Sequence, residues 1–204
     1  MALPNNPADL HRQVAATFSA VVDQVNDWDA PTPVDGWTTR DVVGHLTTWF
    51  PDFLQNAAGI DVRATTDVAT DPVGTWAQQV ENVQAVLDDP TRSQRTFEVP
   101  HMGQQTVSAC INMIYTPDVF MHSWDLARGA GIGVELDGDF VAQLLGGMTA
   151  MEAAIRASGQ YGPAVEIPAG TSAEDQLFAF IGRSPCWRGE VPASGSGAAA
   201  RFFR

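Results

Sequence analysis

The chain has 204 residues, 45% of them hydrophobic and 17% charged, and carries a net charge of −13. This is enough for one soluble domain with a substantial core. The acidic excess, with only eleven scattered basic residues, argues against nucleic acid or an anionic membrane surface as the main partner. No stretch approaches the roughly 20 apolar residues that span a bilayer. The N-terminus, Met1-Ala2-Leu3-Pro4-Asn5-Asn6, has no basic region followed by an apolar one. Cys110 and Cys186 stand far apart and outside any Cys-x-x-Cys pair, so the expected compartment is the cytoplasm.

From about Ala8 to Asn26, Leu10, Val14, Phe18, Val21, Val22 and Val25 recur at three- and four-residue steps, the spacing of one buried helix face. His11 falls one position off that stripe, which predicts an edge or surface place. Asp27-Trp28-Asp29-Ala30-Pro31-Thr32-Pro33 ends the helix. A second helix opens near Thr38, which with Asp41 three residues on forms a capping box carrying Asp for the usual Glu. Val42, His45, Leu46, Trp49 and Phe53 share one of its faces, and Pro51 predicts a kink. Gly59 to Asp71 is a polar loop. Asp71 and Pro72 then supply an N-cap and a first helical residue for a third helix, with Trp76, Val80, Val83 and Leu87 on its core face and a stop at Asp88-Asp89-Pro90.

Thr96 to Pro100 alternates weakly and reads as a short extended segment before Gly103. A fourth helix is expected from about Thr106 to Arg128. Pro117 lies inside it, and because Ile111, Ile114 and Tyr115 keep the helical spacing a kink is expected there rather than a start. Gly129-Ala130-Gly131 is the stop. A fifth helix is expected from about Asp139 to Ser158, with Leu144, Met148, Met151 and Ile155 facing the core. Gly162 to Arg188 reads as a loop, a short helix around residues 173–181 and a turn, and Ala193-Ser194-Gly195-Ser196-Gly197-Ala198 as a flexible tail. The expected fold is all-α, a bundle of four long helices with additions. It forms one domain over residues 1–190 followed by a tail over 191–204.

Chemistry concentrates in Asp118-Val119-Phe120-Met121-His122-Ser123-Trp124-Asp125. Asp118 and His122 stand one helical turn apart on one face, with Asp125 near the same line and Ile111 and Tyr115 extending it backwards. Burying an acid and an imidazole unpaired is costly, so either a metal ion or a hydrogen-bonded pair must account for them. His45, in the middle of the second helix's apolar face, becomes a third ligand if the two helices are neighbours. Two imidazoles and one carboxylate suit Zn²⁺, and also Ni²⁺ or another first-row divalent ion, and three protein ligands leave positions open for a substrate. Two metal-free readings compete. In one, His45 bonds a backbone group while Asp118 and His122 pair with each other. In the other, an Asp125–His122 dyad acts as a general base. His101 is a candidate for lining a pocket, and Cys110 reads as a core thiol rather than a nucleophile. No nucleophile elbow or phosphate-binding glycine loop occurs.

Val34-Asp35-Gly36-Trp37-Thr38-x-Arg40-Asp41-Val42-Val43-Gly44-His45-Leu46 resembles the first metal motif of the DinB/YfiT-like superfamily, nearest the branch of mycothiol-dependent maleylpyruvate isomerase. Thr116-Pro117-Asp118-x-x-x-His122-x-Trp124-Asp125-Leu126-Ala127 resembles its second motif, and Phe178-x-Phe180-Ile181-Gly182-Arg183-Ser184-Pro185 is similar to the tail of actinobacterial metal-binding members. The resemblance implies a DinB-like up-down four-helix bundle with an extra C-terminal helix and short extended segments. It implies a divalent metal held by His45, Asp118 and His122, with Asp125 orienting a ligand from behind and Trp49 and Tyr115 lining the pocket. The isomerase has Glu where this chain has Asp118, and its larger C-terminal domain has no counterpart here. For activity, the resemblance implies a thiol-dependent, mycothiol-like transferase or isomerase using a metal-activated thiolate. A small-molecule substrate and a low-molecular-weight thiol would be its partners, and a homodimer is compatible with it. A metal-dependent hydrolase with the same ligands and a non-catalytic metal- or ligand-binding module are the alternatives.

Overall fold

The computed structural model describes residues 2–99 and 102–189. The fold is mostly helical, with one small two-stranded sheet. Helix α1, Pro7–Val22, begins where Asn6 accepts hydrogen bonds from the N–H groups of Ala8 and Asp9 and Pro7 takes the first helical position. It ends at Val22 rather than Asn26, because the N–H groups of Gln24 and Val25 turn back to carbonyls three residues earlier. Helix α2, Thr39–Ala58, carries the predicted capping box. Thr38 Oγ1 accepts from the Asp41 N–H at 3.2 Å, and Asp41 Oδ2 accepts from the Thr38 N–H at 2.8 Å. Pro51 stays inside α2, which runs on to a left-handed Gly59. Helix α3, Pro72–Asp88, is capped by Asp71 as predicted, and a single turn, α4, Pro90–Ser93, follows.

Strand β1, Thr96–Val99, pairs antiparallel with β2, Gly103–Thr106. The second strand was not expected, because Gln104 and Gln105 show no apolar alternation. His101 and the tail over 191–204 lie outside the described residues. The next helical run consists of α5, Val107–Cys110, a π-helical turn, Ile111–Tyr115, and α6, Thr116–Gly129. The disruption expected at Pro117 takes the form of this wider turn. Proline has no N–H to donate and its ring crowds the carbonyl four residues back, and a turn with one extra residue relieves both. The extra residue also breaks the stripe expected to join Tyr115 to Asp118: the Tyr115 hydroxyl donates to the Leu46 carbonyl instead.

The predicted fifth helix is two, α7, Gly138–Ala150, and α8, Glu152–Ser158, separated at Met151. Met148 is buried, but Met151 is 59% exposed and not on the core face, because the break changes the helical phase after Ala150. Helix α9, Ala173–Phe180, is the last helix of the described residues and packs on α7.

Helix α6 is buried on every side from Val119 to Ala127, as expected of a helix at the middle of a core. It packs against α1 and α2, and α3 packs against the same two helices. His11 is a correction: it is fully buried, not at an edge. Its Nδ1 lies 3.0 Å from Gln84 Oε1 on α3 and its ring stacks on Tyr115, so these partners supply a polar niche inside the core. No helix among the described residues is long and apolar enough to cross a membrane.

The end of α6 packs closely against the turn before α2 and the first residue of α2. A Cβ on Gly129 would stand 2.8 Å from Thr32 Cγ2 and 2.9 Å from Thr39 Cγ2. Gly129→Ala is therefore expected to cost about 1–3 kcal/mol in urea unfolding. Gly147→Ala, at an exposed α7 position with open space around it, is expected to add about 0.5–1 kcal/mol.

Candidate metal centre

Because α2 and α6 are neighbours, His45 meets Asp118 and His122. His45 Nε2 lies 3.0 Å from Asp118 Oδ2, and His122 Nε2 lies 3.5 Å from Asp118 Oδ1. One ligand atom from each residue falls within 4.8 Å of the other two, a spacing that can accept a cation. The three side chains are 5%, 16% and 4% exposed in chain order, so the carboxylate is the most open of them. The reading in which His45 bonds only a backbone group does not hold, since it reaches Asp118.

Behind His122 stands a chain of charge. Its Nδ1 lies 2.9 Å from Asp125 Oδ2, and Asp125 has no solvent exposure. Arg183 binds that carboxylate with both arms, Nε to Oδ1 and Nη2 to Oδ2, each at 3.2 Å. Burial alone would raise the Asp125 pKa, but the Arg183 charge and the His122 hydrogen bond outweigh it and the net shift is downward. Asp125 is thus ionised and acceptor-only, so His122 Nδ1 carries the hydrogen and donates it. In neutral His122 the Nε2 lone pair then faces Asp118 Oδ1. A cation between them would be shared by both lone pairs. On this ground the donor set fits a divalent ion.

Asp118 is itself held in place. Trp49 Nε1 donates to its Oδ2 at 2.9 Å, on the oxygen that His45 also approaches. Burial pushes the Asp118 pKa up, the two imidazoles and these hydrogen bonds push it down, and the net shift is downward. Burial is also the main cause of the lowered His45 pKa, so its neutral, ligand-competent form is favoured. Trp37 stacks on His122 with ring centroids 5.7 Å apart, and Trp49 stacks on His45 at 5.8 Å. Beside His45 opens a cavity of about 680 Å³ lined by Trp37, Arg40, Thr48, Trp49 and Val68, large enough for a small molecule. Trp49 lines it as expected. Tyr115 does not: it is fully buried behind Trp49. Burial pushes the Cys110 thiol up to about 12, which fits a core thiol and not a nucleophile. His11, with Gln84 and Tyr115 as partners, takes no part in the cluster.

The pattern of the mycothiol maleylpyruvate isomerase N-terminal domain matches residues 8–127, more than half of the chain. The chain belongs to this DinB-like family. No curated protein and no solved structure shows a significant match. The residues matched to the isomerase N-terminal domain include His45, Asp118, His122 and Asp125, and they end before Arg183.

Arg183 is the site residue that sequence reasoning missed. It follows α9, whose end is a Schellman motif: the Gly182 N–H bonds the Ala179 carbonyl, the Arg183 N–H bonds the Phe178 carbonyl, and Gly182 has φ +88°. Phe178 stacks on Trp124 of α6 at 4.1 Å, which docks α9 beside Asp125. The Gly-Arg step after a short helix was the available signal, but nothing in the sequence names its partner. Removing Arg183 leaves a buried charge without its counter-ion. Arg183→Met is expected to cost about 3–5 kcal/mol in urea unfolding, and Asp125→Asn combined with it should cost less than the sum of the two single changes.

Proposed function

We propose that this protein binds a divalent metal through His45, Asp118 and His122 and carries out thiol-dependent transfer or isomerisation of a small molecule. The observation that carries the metal is the convergence of His45 Nε2 and His122 Nε2 on the two oxygens of Asp118, at 3.0 and 3.5 Å. The thiol part draws support from the family, whose description names mycothiol. The donor set suits Zn²⁺ best, with Ni²⁺ or another first-row ion also accommodated. The shared packing of α1, α2, α3 and α6 supports an up-down four-helix bundle as the frame. We read residues 1–190 as one domain and a reducing compartment, the cytoplasm, as its place.

When bound, such an ion supplies a Lewis acid that lowers the pKa of a coordinated thiol or water. The rest is done by the chain. Asp125, clamped by Arg183, fixes the tautomer and rotation of His122 so that Nε2 points inward. Trp49 holds the Asp118 carboxylate from the side. Trp37 and Trp49 shield the flanks of the imidazoles from water, and the cavity beside His45 admits the small molecule. Asp118 spans to both histidines without the extra methylene of Glu, so the shorter acid is compatible with the same centre.

Metal analysis of protein purified without chelator tests the centre: about one ion per chain is expected. His45→Ala and His122→Ala should lose it and His11→Ala should keep it. Retention in the first two variants would sink the assignment. Asp125→Asn should weaken the metal about 10–100-fold by removing the partner of His122, measured by chelator competition. In the Co²⁺-substituted protein a low-molecular-weight thiol should produce a thiolate charge-transfer band. No change with any thiol would shift the reading to hydrolytic use of the same ligands or to a ligand-binding module.

A further inference from the structure

The cavity beside the candidate centre has a second charged group in its wall. Along α2, Arg40, Gly44 and Thr48 recur every four residues with His45 and Trp49 beside them, so one face of the helix lines the cavity. His45 belongs also to the cluster with Asp118 and His122. Arg40 stands five residues before it, about 7.5 Å along the helix axis. Gly44 lies between them and puts no side chain into that space, where a Cβ would meet only Val68 Cγ1, at 3.6 Å.

The Arg40 guanidinium is held in place by neutral partners. Its Nη1 donates to the Val68 carbonyl at 3.3 Å and to the Ala69 carbonyl at 3.0 Å, and both residues line the same cavity. Its Nε and Nη2 make no hydrogen bond among the described residues. Asp29 Oδ1 stands 3.6 Å from Nη2, but that side chain is 85% exposed, and such a pair is worth little. Asp41, the other acid at this cavity, has its Oδ2 taken by the Thr38 N–H and hydroxyl. The Nε–Nη2 edge is the one with which Arg183 grips Asp125, Nε on one oxygen and Nη2 on the other. In Arg40 the same edge is left for a ligand.

We infer that Arg40 sets the specificity of this cavity by binding a carboxylate of the small molecule through Nε and Nη2, while the molecule's reacting atom lies at the centre. This rests on the metal centre and thiol chemistry proposed above. A guanidinium is a permanent cation and matches a carboxylate with two parallel bonds. With Nη1 already tied to Val68 and Ala69, the side chain has little freedom left to lose on binding. Because five residues of helix separate Arg40 from His45, the molecule recognised is one whose carboxylate stands several bonds from the reacting atom.

The test uses the full chain loaded with Co²⁺ and a matched pair of thiols, 4-mercaptobutyrate and 4-mercapto-1-butanol, each titrated by the thiolate charge-transfer band. Wild type should bind the acid about 10-fold more tightly than the alcohol. Arg40→Gln keeps an N–H donor for the loop carbonyls and removes the charge, and should bring the two affinities within about twofold of each other. Arg40→Lys keeps the charge and loses the fork, and should cut the wild-type ratio at least about threefold. A wild-type ratio near one overturns the assignment. So does a wild-type ratio that persists in Arg40→Gln, or in Arg40→Lys should the first variant not fold, because the ion or another group is then what reads the acid. A variant that weakens acid and alcohol equally assigns Arg40 to holding the loop alone, which overturns it as well. No cobalt uptake, or no band with the alcohol, overturns instead the centre or its thiol chemistry, and the Arg40 assignment falls with it.

Discussion

The arrangement depends on one buried carboxylate. Asp125 is ionised with no contact with water, a costly state unless its charge is matched and its oxygens are bonded. Two groups meet that demand from opposite sides, the His122 ring from the same helix and the Arg183 guanidinium from the turn after α9. Each then has a fixed place. The imidazole cannot rotate without giving up its acceptor, and the turn after α9 cannot leave without stranding a charge. The same contact therefore sets the direction of a ligand lone pair and anchors the C-terminal elements to α6.

Around that anchor the aromatic residues decide which groups meet water. Trp37 and Trp49 stand against the two imidazoles, and Phe50 and Tyr115 stack at 4.2 Å behind Trp49. This leaves the His45 side and the Asp118 carboxylate as the accessible part of the cluster. Low exposure strengthens electrostatic interactions among these groups. The acid, the imidazoles and the indole donor therefore act as one preorganised unit and not as separate surface groups.

Much of this was legible in the sequence because it rests on local rules. The α2 capping box, the Asp71-Pro72 start of α3 and the one-turn pairing of Asp118 with His122 each follow from short spacings, and each is present. The meeting of His45 with that pair needed one further assumption, that α2 and α6 are neighbours, and they are. What was not legible depends on partners distant in sequence. His11 reads as a residue beside an apolar stripe until Gln84 and Tyr115 are seen to give it a polar niche. Arg183 stands in the tail motif with no role until α9 docks through Phe178 onto Trp124. The break at Met151 and the strand at Gln104-Gln105 have weak local signals.

The widened turn at Ile111–Tyr115 has a consequence for how this chain can vary. It sits between the β hairpin and the two α6 ligands, so it sets the rotational phase of the second metal motif relative to everything before it. Losing one residue there would return the run to ordinary winding and leave Asp118 and His122 close to their present phase, whereas a change of one residue in the ordinary winding beyond it would turn them by about 100° around the helix axis, away from His45. The surface loops between the upstream helices can lengthen or shorten without touching that phase. Between Val107 and Asp118, the widened turn acts as a slack link that holds one residue more than the phase of the centre requires.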